Sequence, residues 1–447
     1  MSEMPAPQRS AADAAIAVLM ENHPKGFDLS LGRITALLDK LDNPHLRLPP
    51  VIHVAGTNGK GSTIAFCRAL LEAAGLRVHV HTSPHLVNWH ERYRLGRKGG
   101  GALVDDDVLR EAIDRVSDAN GRQPITVFEV LSAVAFVLFS EHPADVCLVE
   151  VGLGGRLDAT NVMPQMAASI ITPVAMDHEA FLGDTLAKIA FEKAGIIKPG
   201  CPVFVGPQDA DALAVIEKQA ARQKALACFA GQDFHWEEEA GRLLVHHESG
   251  LFDLPLPALP GAHQLANAAT ALVACTQFCD THGHTFTNTM AEEAMARVVW
   301  PGRMQRLTSG HLVDALGDRH RLWLDGGHNP HAGAALAQTL ASLKKPGEQA
   351  VMIAGMLNTK DQAGYFESLA GVIDRIFTVP VLSSEAGVPP SDLAETAREA
   401  GLTADSTKSL EAAIDAVAGS GQNGPVLIGG SLYLVGDALE ANGTPPT

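Results

Sequence analysis

Nine consecutive residues, Val54-Ala55-Gly56-Thr57-Asn58-Gly59-Lys60-Gly61-Ser62, bring together the parts needed to hold phosphate. Glycines let the backbone curl, amides at a helix start donate, and a lysine neutralises charge. Two positions depart from the usual phosphate-loop pattern: Val54 stands at the first Gly position, and Gly61 stands where Ser or Thr follows the lysine. Lys60 follows one apolar run, and three more polar groups follow others. Ser83 comes after Leu76–His81, Glu150 ends Val146–Val151, and His178 comes after Ala168–Val174. Ligands of an open parallel sheet bind beyond the carboxyl ends of its strands, which is where these groups fall. A hydroxyl and a carboxylate beside a triphosphate suit Mg²⁺, which prefers oxygen ligands and keeps waters. Imidazole is an uncommon Mg²⁺ ligand, so His178 reads equally as a structural or substrate-contacting residue.

The elements that must position these groups alternate between short apolar runs and helical segments, the pattern of βα units and a mostly parallel sheet. Val51–Ala55 reads as a buried strand, followed by a helix from about Ser62 to Ala74. Val127–Phe139 suits a buried helix, and Asp184 is placed to cap a helix running to about Lys198. From Phe234 to Pro260 short runs broken by Gly and Pro predict hairpins on a sheet edge. Helices from His263 to about Cys279 and to near Val299 follow, then the break Trp300-Pro301-Gly302. A new βα series begins beyond it, with strands at Leu322–Leu324, Val351–Ala354, Ile376–Val379 and Val426–Ile428. The expected division is therefore 1–302 and 303–447.

With 46% hydrophobic and 19% charged residues, the 447-residue chain is an ordinary globular one with room for two or three domains. Its net charge of −17 disfavours a nucleic-acid partner. There is no apolar run long enough to span a membrane and no basic-then-apolar leader, so no membrane role is expected. The six cysteines are scattered; Cys275 and Cys279, at helical spacing, read as small apolar residues on one helix. A reduced, cytoplasmic setting is the expectation.

The phosphate loop GTNGKGS resembles that of the Mur ligase superfamily, and with Gly after Lys it looks most like the folate branch. SPHL at Ser83–Leu86, EVGLGGRLDATN at Glu150–Asn161, DHEAFLG at Asp177–Gly183 and EKAGIIKPG at Glu192–Gly200 are similar to successive signatures of the folylpolyglutamate synthase/dihydrofolate synthase family. So are GAHQLANAA at Gly261–Ala269, PGRMQ at Pro301–Gln305 and DGGHNPHA at Asp325–Ala332, where Asp-Gly-Gly replaces the commoner Asp-Gly-Ala. The resemblance implies an α/β fold: a P-loop-containing, Mur-ligase-like ATPase domain with a mostly parallel sheet, plus a smaller C-terminal Rossmann-like α/β domain. It implies Mg²⁺ ligation by Ser83, Glu150 and His178. ATP, as co-substrate, would be contacted by Gly59, Lys60, Gly61, Ser62, Asn267, Arg303 and Asp325. Taken alone, Asn267 is a helix-surface amide, Arg303 a loop cation and Asp325 a turn former.

A lone helical lysine such as Lys193 is ordinarily a solvated surface charge. The resemblance reverses this and implies a lysine carbamylated by CO₂, which requires a neutral amine and hence a depressed pKa. His328 would help to orient glutamate or an acyl phosphate. The implied reaction is ATP-dependent ligation of L-glutamate to dihydropteroate and to folates by a cytoplasmic monomer. Asp28, Leu29 and Ser30 resemble a dihydropteroate-contacting loop, and Thr126, Val127, Phe128, Glu129, Leu157, Asp158 and Ala159 resemble two further contacts. Phe128 suits a flat ring, though it could equally be core, and Asp158 is an acceptor for a pterin amino group. Three rivals fit less well. A cell-wall Mur ligase would carry a sugar-nucleotide domain before the loop at Gly56. A simple P-loop kinase would not need Arg303 and Asp325, and a non-catalytic nucleotide binder would not need Lys60, Glu150, His178 and Lys193 together.

Overall fold

The computed structural model describes residues 10–22 and 29–447. Its largest sheet has eight strands, with Val51–Ala55 near the middle between Val146–Glu150 and Ala168–Ile171. Outwards from these lie Val78–His81 on one side and Pro202–Val205 and Leu226–Phe229 on the other, all parallel. Tyr93–Leu95 pairs antiparallel with Val78–His81, and the edge strand Ala102–Leu103 pairs antiparallel with Tyr93–Leu95. The central strands are buried along their whole length, so they read as unbroken apolar runs rather than alternating ones.

One face of this sheet is covered by the helices Lys60–Ala73 and Ala262–His282, which share a core with Ile52, Val54 and Leu148. Cys275 and Cys279 are buried there as small apolar side chains, and all six cysteines are free. Helix Val127–Glu141 packs on the opposite face. It is buried nearly all round, and Thr126 opens it with a capping box closed by Glu129.

A second sheet of six strands takes its members from Gln305–Leu307 onwards. Its order runs Gln305–Leu307, His320–Asp325, Gly424–Gly429, Val351–Ala354, Arg375–Thr378, Ala404–Ser406, and only the first pair is antiparallel.

Three local expectations need correction. The strands in 235–255 form a separate antiparallel sheet packed under helix Ala262–His282, not hairpins on the edge of the main sheet. Phe234, Leu243, Val245 and Leu254 bury one side of it against that helix. The helix carrying Lys193 spans Leu186–Ala194 and is capped by Thr185, whose side chain accepts from Lys188 N. Asp184 instead pairs with Lys188 Nζ at 2.7 Å. The strand expected to reach Val174 ends at Ile171, because Thr172 N still bonds Ala55 while Pro173 brings no N–H to extend the ladder.

Candidate active site

The phosphate loop leaves the central strand and enters helix Lys60–Ala73 through Gly59, whose φ of 85° lies in the left-handed region. The unusual Gly61 has a steric cause: a Cβ there would lie 2.7 Å from the indole nitrogen of Trp300. The break at Trp300-Pro301-Gly302 thus folds back on to the first turn of the helix, where Ser or Thr would not fit. Ser62 is buried and accepts from Gln264 Nε2 at 3.3 Å.

One cavity of about 350 Å³ collects the groups that the sequence scatters. Gly59, Lys60, Gly61, Ser62, Ser83, Glu150, His178, Lys193 and Asn267 line it from the N-terminal side. Arg303, Asp325 and His328 line it from the C-terminal side. Asp325 gives both carboxylate oxygens to backbone amides, of Met304 and Gly327, and so shapes the turn that presents Arg303. His328 faces Gly326 O with Nδ1 at 2.9 Å and Asp177 Oδ2 with Nε2 at 3.6 Å.

The charges are tightly arranged. Lys60 Nζ and Lys193 Nζ both donate to the carbonyl of Gly56, at 3.2 and 2.9 Å. Lys193 is therefore not a solvated surface lysine; it is 5% exposed. Burial, then the neighbouring Lys60, lowers its pKa to about 7, the direction a reactive neutral amine requires. Burial also lowers Lys60 despite the attraction of Glu150, whose carboxylate lies 4.0 Å away. Burial raises Glu150, against the pull of Lys60. His178, with φ 54°, is held neutral by burial and by Lys360, its pKa down to about 4.

Glu150 Oε2 accepts from Ser83 N at 3.3 Å, and among the described residues Oε1 has Lys60 Nζ at 4.0 Å as its ion-pair partner. A buried carboxylate so sparsely satisfied, beside a hydroxyl, fits a hard divalent cation. Among the described residues no three His, Cys, Asp or Glu side chains are grouped to hold a metal unaided.

Sequence reasoning assigned no role to Asp177 or Lys360. They pair at 2.8 Å, each 10% exposed. Burial works to raise the Asp177 carboxyl, but the nearby His328 imidazole and the Lys360 charge overcome it and hold it well below the usual range. Asn329 Nδ2 donates to Asp177 Oδ2 at 3.3 Å and exchanges two 3.1 Å hydrogen bonds with Asn58. Asp177 and Asn329 stand inside quoted signatures, so their motifs were a usable signal; Lys360 stands in none.

Leu29, Ser30, Thr126, Val127, Phe128, Glu129, Leu157, Asp158 and Ala159 all line a second cavity of about 360 Å³. Asp28 lies outside the described residues. Trp89, Arg92 and Tyr433 complete the wall and were missed. Phe128 is half-buried, with its ring over Gly152, where a Cβ would come within 2.2 Å. Asp158 does not offer a free carboxylate. Its oxygens accept from Leu153 N at 2.8 Å and Thr160 N at 2.9 Å, so it holds the loop that forms the cavity. Glu129 Oε2 accepts from Thr126 N at 2.8 Å and Arg33 Nε at 3.0 Å, while its Oε1 is buried without a partner among the described residues. The two cavities meet at Ser83, Pro84, Gly152 and Leu153.

The Mur ligase glutamate ligase domain matches residues 302–432. The dihydrofolate synthase/folylpolyglutamate synthase of Haemophilus influenzae is 34% identical over 439 residues, covering 94% of this chain and 95% of the relative. The structure of Escherichia coli FolC in complex with DHPP and ADP superposes with a TM-score of 0.85 at 30% identity, covering 98% of both chains. The bifunctional enzyme of Yersinia pestis complexed with AMPPNP and a Mn ion superposes with a TM-score of 0.83 at 29% identity, covering 98% and 99%.

Proposed function

The chain belongs to the dihydrofolate synthase/folylpolyglutamate synthase family of the Mur ligase superfamily, and we propose that its two cavities divide the ligase reaction between them. The enzyme is an ATP-dependent ligase that joins L-glutamate to dihydropteroate and to folates. The observation that carries the site assignment is the single cavity in which the phosphate loop, Glu150, Lys193, Arg303 and His328 converge, opening at Ser83 on the apolar one.

A carboxylate resists amines because oxide is a poor leaving group. ATP transfers its γ-phosphoryl group to the carboxylate oxygen and leaves as ADP. The neutral amine of glutamate then attacks the acyl carbon, the C–O bond breaks with its electron pair on the departing phosphate, and the nitrogen gives up one proton, which the phosphate can carry away. Lys60 offsets charge on the phosphoryl oxygens, and the loop amides from Gly59 to Ser62 hold the chain in line. Ser83, Glu150 and His178 would hold Mg²⁺, which neutralises the triphosphate. Arg303, Asn267 and the turn shaped by Asp325 grip the nucleotide from 303–447 and 1–302 together, and His328 orients the incoming amine or the acyl phosphate.

Lys193 is the group carbamylated. Two ammonium ions sharing the Gly56 carbonyl repel each other. A neutral Lys193 amine adds CO₂, loses one proton and becomes an anion beside Lys60. ¹³CO₂ should give a carbamate carbon signal that grows between pH 6 and 8 and is absent from Lys193→Ala; a parent enzyme with no such signal contradicts the assignment.

Phe128 stacks on the pterin, while Glu129 accepts its ring N–H groups. The reaction is tested by ADP release, which should require both glutamate and a pteroate or folate. Turnover with tetrahydrofolate but never with dihydropteroate would reduce the enzyme to a chain-extending one.

A further inference from the structure

A third cavity, of about 300 Å³, opens beside the reacting centre. It shares Gly61, Ser83, Glu150 and Arg303 with the nucleotide cavity, and Ser83 and Pro84 with the apolar one. Two arginines stand in its wall away from the phosphate loop: Arg68 on helix Lys60–Ala73 and Arg94 on strand Tyr93–Leu95. Neither forms an ion pair with an Asp or Glu among the described residues. Arg68 Nη2 reaches Val299 O at 3.4 Å, and its Nε is buried without a partner among the described residues. Arg94 donates to the carbonyl of Gly101 and, at 3.4 Å, to a terminal carboxylate oxygen of Thr447.

The carboxylates of this cavity are committed elsewhere. Glu91 is consumed by the amides of Leu86, Val87 and Asn88. Glu72 faces both arginines and gives Oε1 to Gly101 N at 2.8 Å, and Glu150 belongs to the reacting centre. Burial, then the charge of Arg68, lowers Arg94 to about 10, and the Glu72 carboxylate works in the opposite direction.

Resting on the ligase function above, we propose that Arg68 and Arg94 form a subsite for the carboxylates of glutamates already joined to a folate acceptor. Every turnover lengthens the acceptor and adds one carboxylate, yet the reacting carboxylate must return to Lys60. With the pterin held in the apolar cavity, the growing tail has slack to place. Among the described residues the part of the route common to all three cavities is Ser83-Pro84, and the cavity branching there carries two guanidinium groups with no Asp or Glu at ion-pair distance, which suit carboxylates through paired N–H donors.

The test compares dihydropteroate, tetrahydrofolate with one glutamate, and tetrahydrofolate with three, in the parent enzyme and in Arg68→Gln, Arg94→Gln and both together. KM for the three-glutamate acceptor should rise about tenfold in the double variant, with kcat and the dihydropteroate KM unchanged. The Lys variants at both positions should restore most of the loss. Free γ-triglutamate should compete with tailed acceptors in the parent and lose that effect in the double variant. Equal changes with all three acceptors mean that the arginines only brace the 96–101 loop, and no change with any acceptor removes the subsite. Citrate competing as well as triglutamate overturns the tail assignment. If no acceptor yields an amide, it is the ligase function that fails.

Discussion

The nucleotide cavity and the proposed pterin cavity touch at Ser83 and Pro84 but are built by different means. The first sets charges around backbone: Lys60 and Lys193 on one carbonyl, Glu150 at 4.0 Å, Asp177 bridging to Lys360. The second is a hollow between Leu29, Val127, Phe128, Leu131 and Leu157, with few polar groups aimed into it. Phosphoryl transfer needs fixed charge, whose value rises where water is excluded. Recognition of a flat ring needs shape, and a shape can be altered by degrees. Changes in the first cavity should therefore abolish turnover whatever the acceptor, and changes in the second should alter acceptor KM alone.

Lys60→Ala sharpens this contrast most. Turnover should fall about a thousandfold or more with every acceptor, while dihydropteroate binding, followed by calorimetry, stays as in the parent. Loss of dihydropteroate binding would mean that the cavities are not separable. Next in size is the clasp across the nucleotide cavity. Asp177→Asn and Lys360→Met should each lower kcat about a hundredfold by loosening the approach of the two sides, equally for dihydropteroate and tetrahydrofolate. The double variant should cost little more than either single one, because each removes the same ion pair. Full additivity would show that the residues act independently.

The two cavities also differed in how far they could be read from sequence. Strand-to-loop positions placed Lys60, Ser83, Glu150 and His178 at one edge, because a parallel sheet delivers the ends of its strands there whatever the family. Lys193 was opaque to such reading, since helical position does not reveal burial, and only the resemblance singled it out. Its chemistry rests on the contact with Gly56, which is distant in sequence. The pterin residues came from resemblance alone, and their individual roles shifted in the structure. Asp158 looked like a free acceptor but is turned into its own loop, whereas Glu129, given as a contact by the resemblance, caps its helix and keeps one buried oxygen without a partner among the described residues. Trp89, Arg92 and Tyr433 join that wall from segments without a shared motif. Lys360 was missed because it meets Asp177 across 183 residues of chain.

On the pterin side, Phe128→Ala should raise the dihydropteroate KM about tenfold, the loss of one stacking surface in a partly wet cavity. The KM for ATP should not move. A fall in kcat for ATP turnover with KM unchanged would instead make Phe128 a core residue of helix Val127–Glu141, and the functional contrast with Lys60 would disappear.

The smallest effect concerns the dry floor behind the pterin cavity and acts on stability, not turnover. His53 is fully buried, bonds Thr160 Oγ1 at 2.9 Å, and through Thr160 supports Asp158. His81 bonds Arg92 O at 2.9 Å and has its other nitrogen buried without a partner among the described residues. Burial lowers His53 to about 3 and His81 to about 4. Both are therefore neutral in the folded protein at a pH where the unfolded chain is already protonated. The sign follows: the unfolded state binds more protons below its ordinary value near 6.5, so stability is full above that pH. It declines as pH falls from there towards 4, where the folded groups begin to protonate. At pH 5.5 each imidazole should withdraw about 1 kcal/mol. Chemical denaturation at pH 7.5 and 5.5 should show the parent losing more than His81→Leu does, although that variant starts from a lower stability at pH 7.5. Equal losses would mean that His81 is hydrated and that the floor is not dry. The apolar character that distinguishes this cavity from its charged neighbour would then stop at its surface.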